Sequence, residues 1–557
     1  MTAASISILA SSGLVAFDYA VVLIYLAGAL GAGWYFSREQ HEVEDYFVGG
    51  RQMPWLAVGL SIVATMLSTV TYLAAPGEVI QHGLAFSIGF LALPIAFLIV
   101  NWCWIPFFMR LRVTSIYEYL ERRFGLAARW TAVFKFVFIL RFLWMATIIL
   151  TASRAVAQIT YGSLSDLIPL DMSPDQWTLM VLLAVSLLAT LYTMLGGIKA
   201  VIWTDVAQFI VLFGGVVFTL VFVSLRTGTG PQDWWEATTS ASGAGHEFPP
   251  LASWDLTARN TILFTVLSAV FWYSCTYIAD QVAVQRYLTT PSVQAAVRGN
   301  IVNFAADFAV MILLVICGMA LLTYYLDPQY QTVIAGGISD PRDPSVSDKV
   351  FPHFIAHGLP PGISGLVVAA LFAVAMSSLD SGINSVSTVL TVDVFNRLSP
   401  DRGPAQQLRL ARWITLVTGL VCTALALAML AIPESYNIID ITARTYNCAL
   451  GPLAGLMLSA MFLPRVSQWA AVVAAWAGLA AAVVCAWGVE IGWAVGATEY
   501  ETAAEAAQHI RGLSPFLITP LATTATFLLA GLLGLIFPSA DKERGRASSW
   551  RTVVSRL

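Results

Sequence analysis

Charge is scarce: only 11% of the 557 residues are charged, against about 25% in an average soluble domain. No stretch has a soluble composition, so the several globular domains that this length would suggest are excluded. The 29 Lys+Arg against 33 Asp+Glu give a formal charge of −4. That balance offers no basic surface, and a nucleic-acid partner is excluded. The six cysteines (Cys103, Cys275, Cys317, Cys422, Cys448, Cys485) all lie in apolar stretches without a CxxC pair, and read as small core residues. There is no GxxxxGK[ST] segment and no HExxH, so neither an ATP-driven pump nor a zinc intramembrane protease has its motif. Residues 1–17 hold no Lys or Arg, which excludes a basic-headed signal peptide and predicts a retained N-terminus.

What is present is hydrophobic length. Apolar residues make up 58% of the chain and the mean hydropathy is +0.75. A bilayer core about 30 Å thick needs roughly 20 apolar residues per helix. Thirteen segments meet that criterion: 15–36, 54–75, 84–109, 130–161, 176–195, 199–225, 259–283, 299–326, 361–396, 410–432, 437–463, 467–492 and 513–537. The fold expected is an all-α polytopic bundle embedded in the lipid bilayer. With the N-terminus outside, twenty basic residues, Arg286 and Arg298 among them, fall in internal loops and the tail. Only Arg226, Arg259, Arg342, Lys349 and Arg511 lie outside. The positive-inside rule therefore predicts an external N-terminus and a cytoplasmic C-terminus, in the plasma or inner cell membrane.

Two spans are poor apolar helices. The run Ser61-Ile-Val-Ala-Thr-Met-Leu-Ser-Thr-Val-Thr71 puts hydroxyls mid-span, and Tyr273-Ser-Cys-Thr-Tyr-Ile-Ala-Asp-Gln281 adds a carboxylate and an amide. Such segments suit unwound backbone whose carbonyls line a cavity and coordinate a cation. Each opens a run of five spans, and an odd number of helices per repeat inverts the second copy. The expected division is an extra helix and cytoplasmic loop at 1–53, a first repeat at 54–225, an external loop at 226–258, a second repeat at 259–463, and extra helices with a cytoplasmic tail at 464–557.

The ninth span is the most polar. Ser377, Asp380, Ser381, Asn384 and Thr388 follow the i, i+3, i+4, i+7, i+11 series and share one helix face, flanked by Ser378 and Ser385. Hydroxyls of this kind serve as interhelical glue. Glue leaves Asp380 unexplained, because an intramembrane carboxylate is costly unless paired or protonated, whereas an all-oxygen face suits a hard cation such as sodium. Asp205 has two readings, an interfacial pair with Lys199 or a functional carboxylate. Arg141 and Arg154 offer an anion site or counter-ions to the aspartates. His353 and His357 have metal-pair spacing without a third ligand and read as a surface pair.

These residues carry a resemblance. Asp45-Tyr-Phe-Val-Gly-Gly-Arg51, Gly196-Gly-Ile-Lys-Ala-Val-Ile-Trp-Thr-Asp205, Asp280-Gln-Val-Ala-Val-Gln-Arg-Tyr-Leu288, Phe351-Pro-His-Phe, Leu359-Pro-Pro-Gly-Ile-Ser-Gly365 and the 371–385 run resemble the sodium/solute symporter family, over about residues 15 to 465. The resemblance implies the leucine-transporter-type inverted five-plus-five fold, sodium as the coupled ion and no enzymatic activity. It implies a principal sodium site on the carbonyls of Ala64, Leu67 and Val374 and the hydroxyls of Ser377 and Ser378. A second site, for sodium or a proton, would fall on Asp205, Ser377, Asp380 and Ser381, although relatives with such a site have Ser where this chain has Asp380. Solute contacts are implied at Thr71, Tyr72, Glu78, Thr276, Asp280 and Gln281. The carboxylate-binding arginine of sialic-acid carriers corresponds to Trp144, with Arg141 one turn earlier, a departure that argues against acid transport. The function expected is sodium-coupled import of a small polar solute by alternating access; the alternative is a sodium-permeable channel or solute sensor on the same fold. Neither the solute nor an oligomeric state is specified by the sequence.

Overall fold

The computed structural model describes residues 14–67, 69–167, 172–240, 261–332, 334, 338–343, 346–399, 401–432, 438–496 and 513–555. Most of the external loop expected at 226–258 lies outside them; its described part includes a short helix at Pro231–Ser240.

Helices follow one another along the described chain. α1 is Ala16–Phe36, α2 Val43–Val48, α3 Trp55–Met66 and α4 Thr69–His82. α5 (Ser87–Leu111), α6 (Tyr117–Arg123), α7 (Leu126–Tyr161) and α8 (Pro174–Thr227) come next. After α9 (Pro231–Ser240) come α10 (Ile262–Ala279), α11 (Gln281–Leu288), α12 (Val293–Leu326) and α13 (Val350–His357). α14 (Ile363–Val389) continues through a π-helical turn at Leu390–Phe395. α15 (Pro404–Leu430), α16 (Ile438–Phe462), α17 (Gln468–Ala494) and α18 (Pro515–Ile536) complete the bundle.

Among the described residues ten helices are long and apolar enough to cross a bilayer, or eleven if α3 and α4, bent by 60° at their junction, form one span. α8 holds both the fifth and the sixth expected crossings, one on each side of a kink. Its 54 residues would reach about 81 Å if straight, far beyond a bilayer, and the helix is broken at Gly197 (φ 55°, ψ −155°). Only glycine enters that conformation freely, and a Cβ there would stand 2.6 Å from the Tyr46 carbonyl of α2. α8 covers two of the thirteen expected segments, and α16, which covers the segment expected at 437–463, is not among the ten.

Two further interruptions shape the interior. α3 stops where Leu67 turns extended (φ −77°, ψ 112°), and α10 stops at Asp280 (φ −97°, ψ 114°), whose carboxylate then caps α11 by accepting from the Val282 N–H at 3.0 Å. Both fall in the two segments whose hydroxyls and amides spoil the apolar pattern.

α14 lies at the centre, buried at every residue from Val367 to Val389, so its oxygen face meets protein rather than lipid. α1 is docked onto its N-terminus. The buried Asp18 carboxylate accepts from the Gly362 N–H at 2.6 Å and the Gly365 N–H at 2.7 Å, answering orphan donors and the positive end of the helix dipole. A Cβ at Gly365 would lie 2.5 Å from the Asp18 Cα, so the close approach requires glycine. Asp18→Ala is therefore expected to destabilise the protein by about 2 kcal/mol, with Asp18→Asn losing less. Thermal unfolding in detergent checks this, and equal midpoints for Asp18→Ala and the parent would contradict it.

Candidate functional site

The end of α3 leaves its last carbonyls without partners in the helix ladder, and α14 supplies them. The Ser377 hydroxyl lies 2.9 Å from the Ala64 carbonyl and 3.0 Å from the Val374 carbonyl. The Ser378 hydroxyl donates to the Thr65 carbonyl at 3.2 Å. Ala64, Val374, Ser377 and Ser378 thus converge at the break, with Leu67, the residue that turns the backbone, buried beside them. The oxygens are neutral and come from two different helices.

A second, charged cluster adjoins the first through Thr65. Its hydroxyl lies 3.1 Å from that of Ser381 and 3.3 Å from Asp205 Oδ2. Asp205 also accepts from Ser61 at 2.6 Å. Asp380 accepts from the Ser381 hydroxyl at 2.9 Å and from the Tyr192 hydroxyl in a short contact. Asp205, Asp380 and Ser381 are thereby brought together, as the resemblance implies, while Ser377 bonds within the first cluster.

Arg286 occupies the centre of this second cluster. The sequence places it among internal-loop charges; instead it is fully buried. Its Nε donates to Ser61 at 2.9 Å, one terminal nitrogen to the Val282 carbonyl at 2.9 Å, and the other to Asp205 at 3.1 Å and to Ser381 in a short contact. Asp205 therefore pairs with Arg286 and not with Lys199, which reaches Glu39 at 3.1 Å. A protein cation already stands where two carboxylates would otherwise demand a mobile one. The Asp205 Oδ1 remains buried without a partner among the described residues. The residue preceding Arg286, Gln285, answers Ser385 at 2.9 Å and Thr388 at 2.9 Å, so α11 serves the polar face of α14 along its length.

The six residues expected around the solute do not form one constellation. Asp280 is fully buried, bonded to the Tyr446 hydroxyl at 3.1 Å and in close contact with the Arg141 guanidinium. Thr276 lies beside Tyr446. Gln281 is committed to the 113–116 turn, accepting from the Ile116 N–H at 3.0 Å and donating to the Thr114 carbonyl at 2.8 Å. Tyr72 packs on Phe351 with ring centroids 5.6 Å apart, Thr71 is half-buried, and Glu78 is partly exposed 4.0 Å from His82. Arg154 is half-buried. His357 is exposed, as a surface reading expects, whereas His353 is half-buried and its ring lies 2.7 Å from the Tyr325 hydroxyl. Burial and the neighbouring His357 push His353 down to about 4, so it is uncharged at neutral pH.

With this geometry in view, the comparisons are specific. A family model described as Sodium:solute symporter family matches residues 46–478. The chain is 33% identical to the sodium/sialic acid symporter SiaT of Proteus mirabilis over 85% of this chain and 90% of that protein. It is 28% identical to the sodium/glucose cotransporter of Vibrio parahaemolyticus over 83% of each chain. A substrate-bound, outward-open structure of a Na+-coupled sialic acid symporter, described as revealing a novel Na+ site, matches with TM-score 0.76 and 27% identity over 94% of this chain and 98% of that one. Mhp1, a nucleobase-cation-symport-1 family transporter, matches in fold with TM-score 0.53 over 90% of this chain at 15% identity. The fold is the leucine-transporter-type inverted repeat. The chain belongs to the sodium:solute symporter family. It is a sodium-coupled symporter of a small solute that works by alternating access across a membrane, not an enzyme.

The buried pair sets a stability test. Removing one member of a buried ion pair strands the other and costs about 3–5 kcal/mol. Asp205→Asn and Arg286→Gln are each expected to lower the unfolding midpoint, and the double variant to recover part of the loss. A strictly additive cycle would show that the pair carries no coupling.

Proposed function

We propose that the principal sodium site of this symporter is the junction of α3 and α14, formed by the carbonyls of Ala64, Leu67 and Val374 and the hydroxyls of Ser377 and Ser378. The observation that carries this reading is the seating of Ser377 at 2.9 Å and 3.0 Å from two backbone carbonyls, Ala64 and Val374, of different helices. A hydroxyl there turns its hydrogen away when a cation arrives and contributes a lone pair, so hydrogen-bonded oxygens become a hard-cation shell. Asp205, Ser377, Asp380 and Ser381 are the candidates for a second cation position, sodium or proton, which Arg286 now partly spans. The solute region is proposed between the breaks, near Thr276 and Asp280 with Thr71 and Tyr72 beyond the first break, while Gln281, held by the 113–116 turn, and Glu78, beside His82, stand apart from it. The charge asymmetry of the loops supports an external N-terminus, a cytoplasmic C-terminus and inward transport.

Sodium entry supplies the work. One charge moving through the field yields about 2.3 kcal/mol per 100 mV, which is about fiftyfold accumulation of solute for each sodium. Coupling requires sodium to bind the outward-open, solute-competent state more tightly than the other states. A shell split between a broken helix and a central one meets that requirement, because separating α3 from α14 dismantles it. The 54–225 and 259–463 repeats are the proposed moving halves.

In proteoliposomes, replacing sodium by potassium or choline is expected to abolish solute accumulation. Ser377→Ala and Ser378→Ala each remove one ligand and are expected to raise the half-maximal sodium concentration roughly tenfold, with the fold intact. Uptake that persists in sodium-free, pH-clamped vesicles, or folded variants with the parental sodium dependence, would overturn the assignment.

A further inference from the structure

The charges beside the second helix break point to the kind of solute carried. Arg141 closes a π-helical turn, Lys135–Arg141, within α7, the type of local widening that often marks functional positions. Its guanidinium is buried on the Asp280 carboxylate. Both carboxylate oxygens are engaged: one accepts from the Val282 N–H at 3.0 Å, the other from Tyr446 at 3.1 Å and from Arg141. The guanidinium stands 5.7 Å from the Tyr446 ring centroid and 5.8 Å from that of Phe136. Trp144 lies against Tyr446, centroids 5.0 Å apart. The Arg141 Nε is buried with no hydrogen-bond partner among the described residues.

An anionic solute needs a cation that is free to receive it. Here Asp280 already sits in that seat, as a fixed internal anion. A carboxylate that took Arg141 would strand the buried Asp280 without a counter-charge, a heavy penalty. An uncharged solute meets no such obstacle. The Arg141 Nε–H is left to donate to a hydroxyl or carbonyl oxygen, and Trp144 and Tyr446 offer aromatic faces to an apolar flank. We propose that Asp280 is a specificity-determining residue that blocks anions by occupying Arg141, and that the solute is uncharged and hydroxyl-bearing, of the polyol or hexose class. This rests on placing the solute between the two helix breaks.

The test titrates D-galactose, myo-inositol, lactate and N-acetylneuraminate against the purified full chain in nanodiscs, in sodium and in potassium buffer. Tryptophan fluorescence is the readout, for the parent, Asp280→Asn and Arg141→Gln/Asp280→Asn. In sodium the parent is expected to respond to an uncharged probe and to bind lactate at least tenfold more weakly than Asp280→Asn, in which Arg141 is freed. The double variant, which keeps the shape of the pair without its charges, is expected to lose that gain. The proposal is overturned if the parent binds either carboxylate and neither uncharged probe. It is equally overturned if Asp280→Asn keeps the parental sodium response yet gains no carboxylate affinity. A parent with no fluorescence or stability response to sodium itself would count against the α3–α14 sodium site instead, while the comparison of parent with Asp280→Asn still decides the solute class.

Discussion

A bilayer supplies no water to solvate a carboxylate, a guanidinium or an open helix end, so each must be answered inside the protein. The interior is organised by that requirement. The end of α3 is answered by serines of α14, the N-terminus of α14 by Asp18 of α1, Asp205 by Arg286, and Asp280 by Arg141 and Tyr446. Every one of these contacts joins segments distant in sequence. The polar groups that make several spans poor apolar helices are the same groups that tie the helices to one another.

That economy bears on transport. In the α3–α14 junction the answering groups are neutral oxygens held in simple hydrogen bonds, which a cation can replace at little expense. In the adjoining cluster they are opposite charges whose separation is costly. The two clusters share Thr65, whose carbonyl meets Ser378 and whose hydroxyl meets Ser381 and Asp205. Arg286 fixes α11 against α3, α8 and α14 in the same contact set.

Much of this was legible in the sequence, for identifiable reasons. The oxygen face of α14 follows from helical periodicity alone, and the breaks at Leu67 and Asp280 fall in stretches whose composition opposes a continuous apolar helix. The sequence separates the fifth and sixth segments at 196–198, and the backbone breaks there at Gly197. Arg286 was missed because positive charge near a span end reads as an internal loop. Its partner Asp205 lies on a different helix, α8, and no local pattern joins them. A usable signal was the run from Asp280 to Leu288, where polar and apolar residues alternate too closely for a solvated loop. Gln281 was misjudged for a related reason: periodicity says that an amide is near the break, but not that the 113–116 turn already holds it.

The central claim is that the neutral oxygens between α3 and α14 bind sodium. Equilibrium binding of radiolabelled sodium to the purified chain, with and without excess potassium, tests it most directly. Saturable binding that potassium does not displace, and that disappears in a folded Ser377→Ala/Ser378→Ala protein, is the predicted result. Undiminished sodium binding in that folded double variant would contradict it.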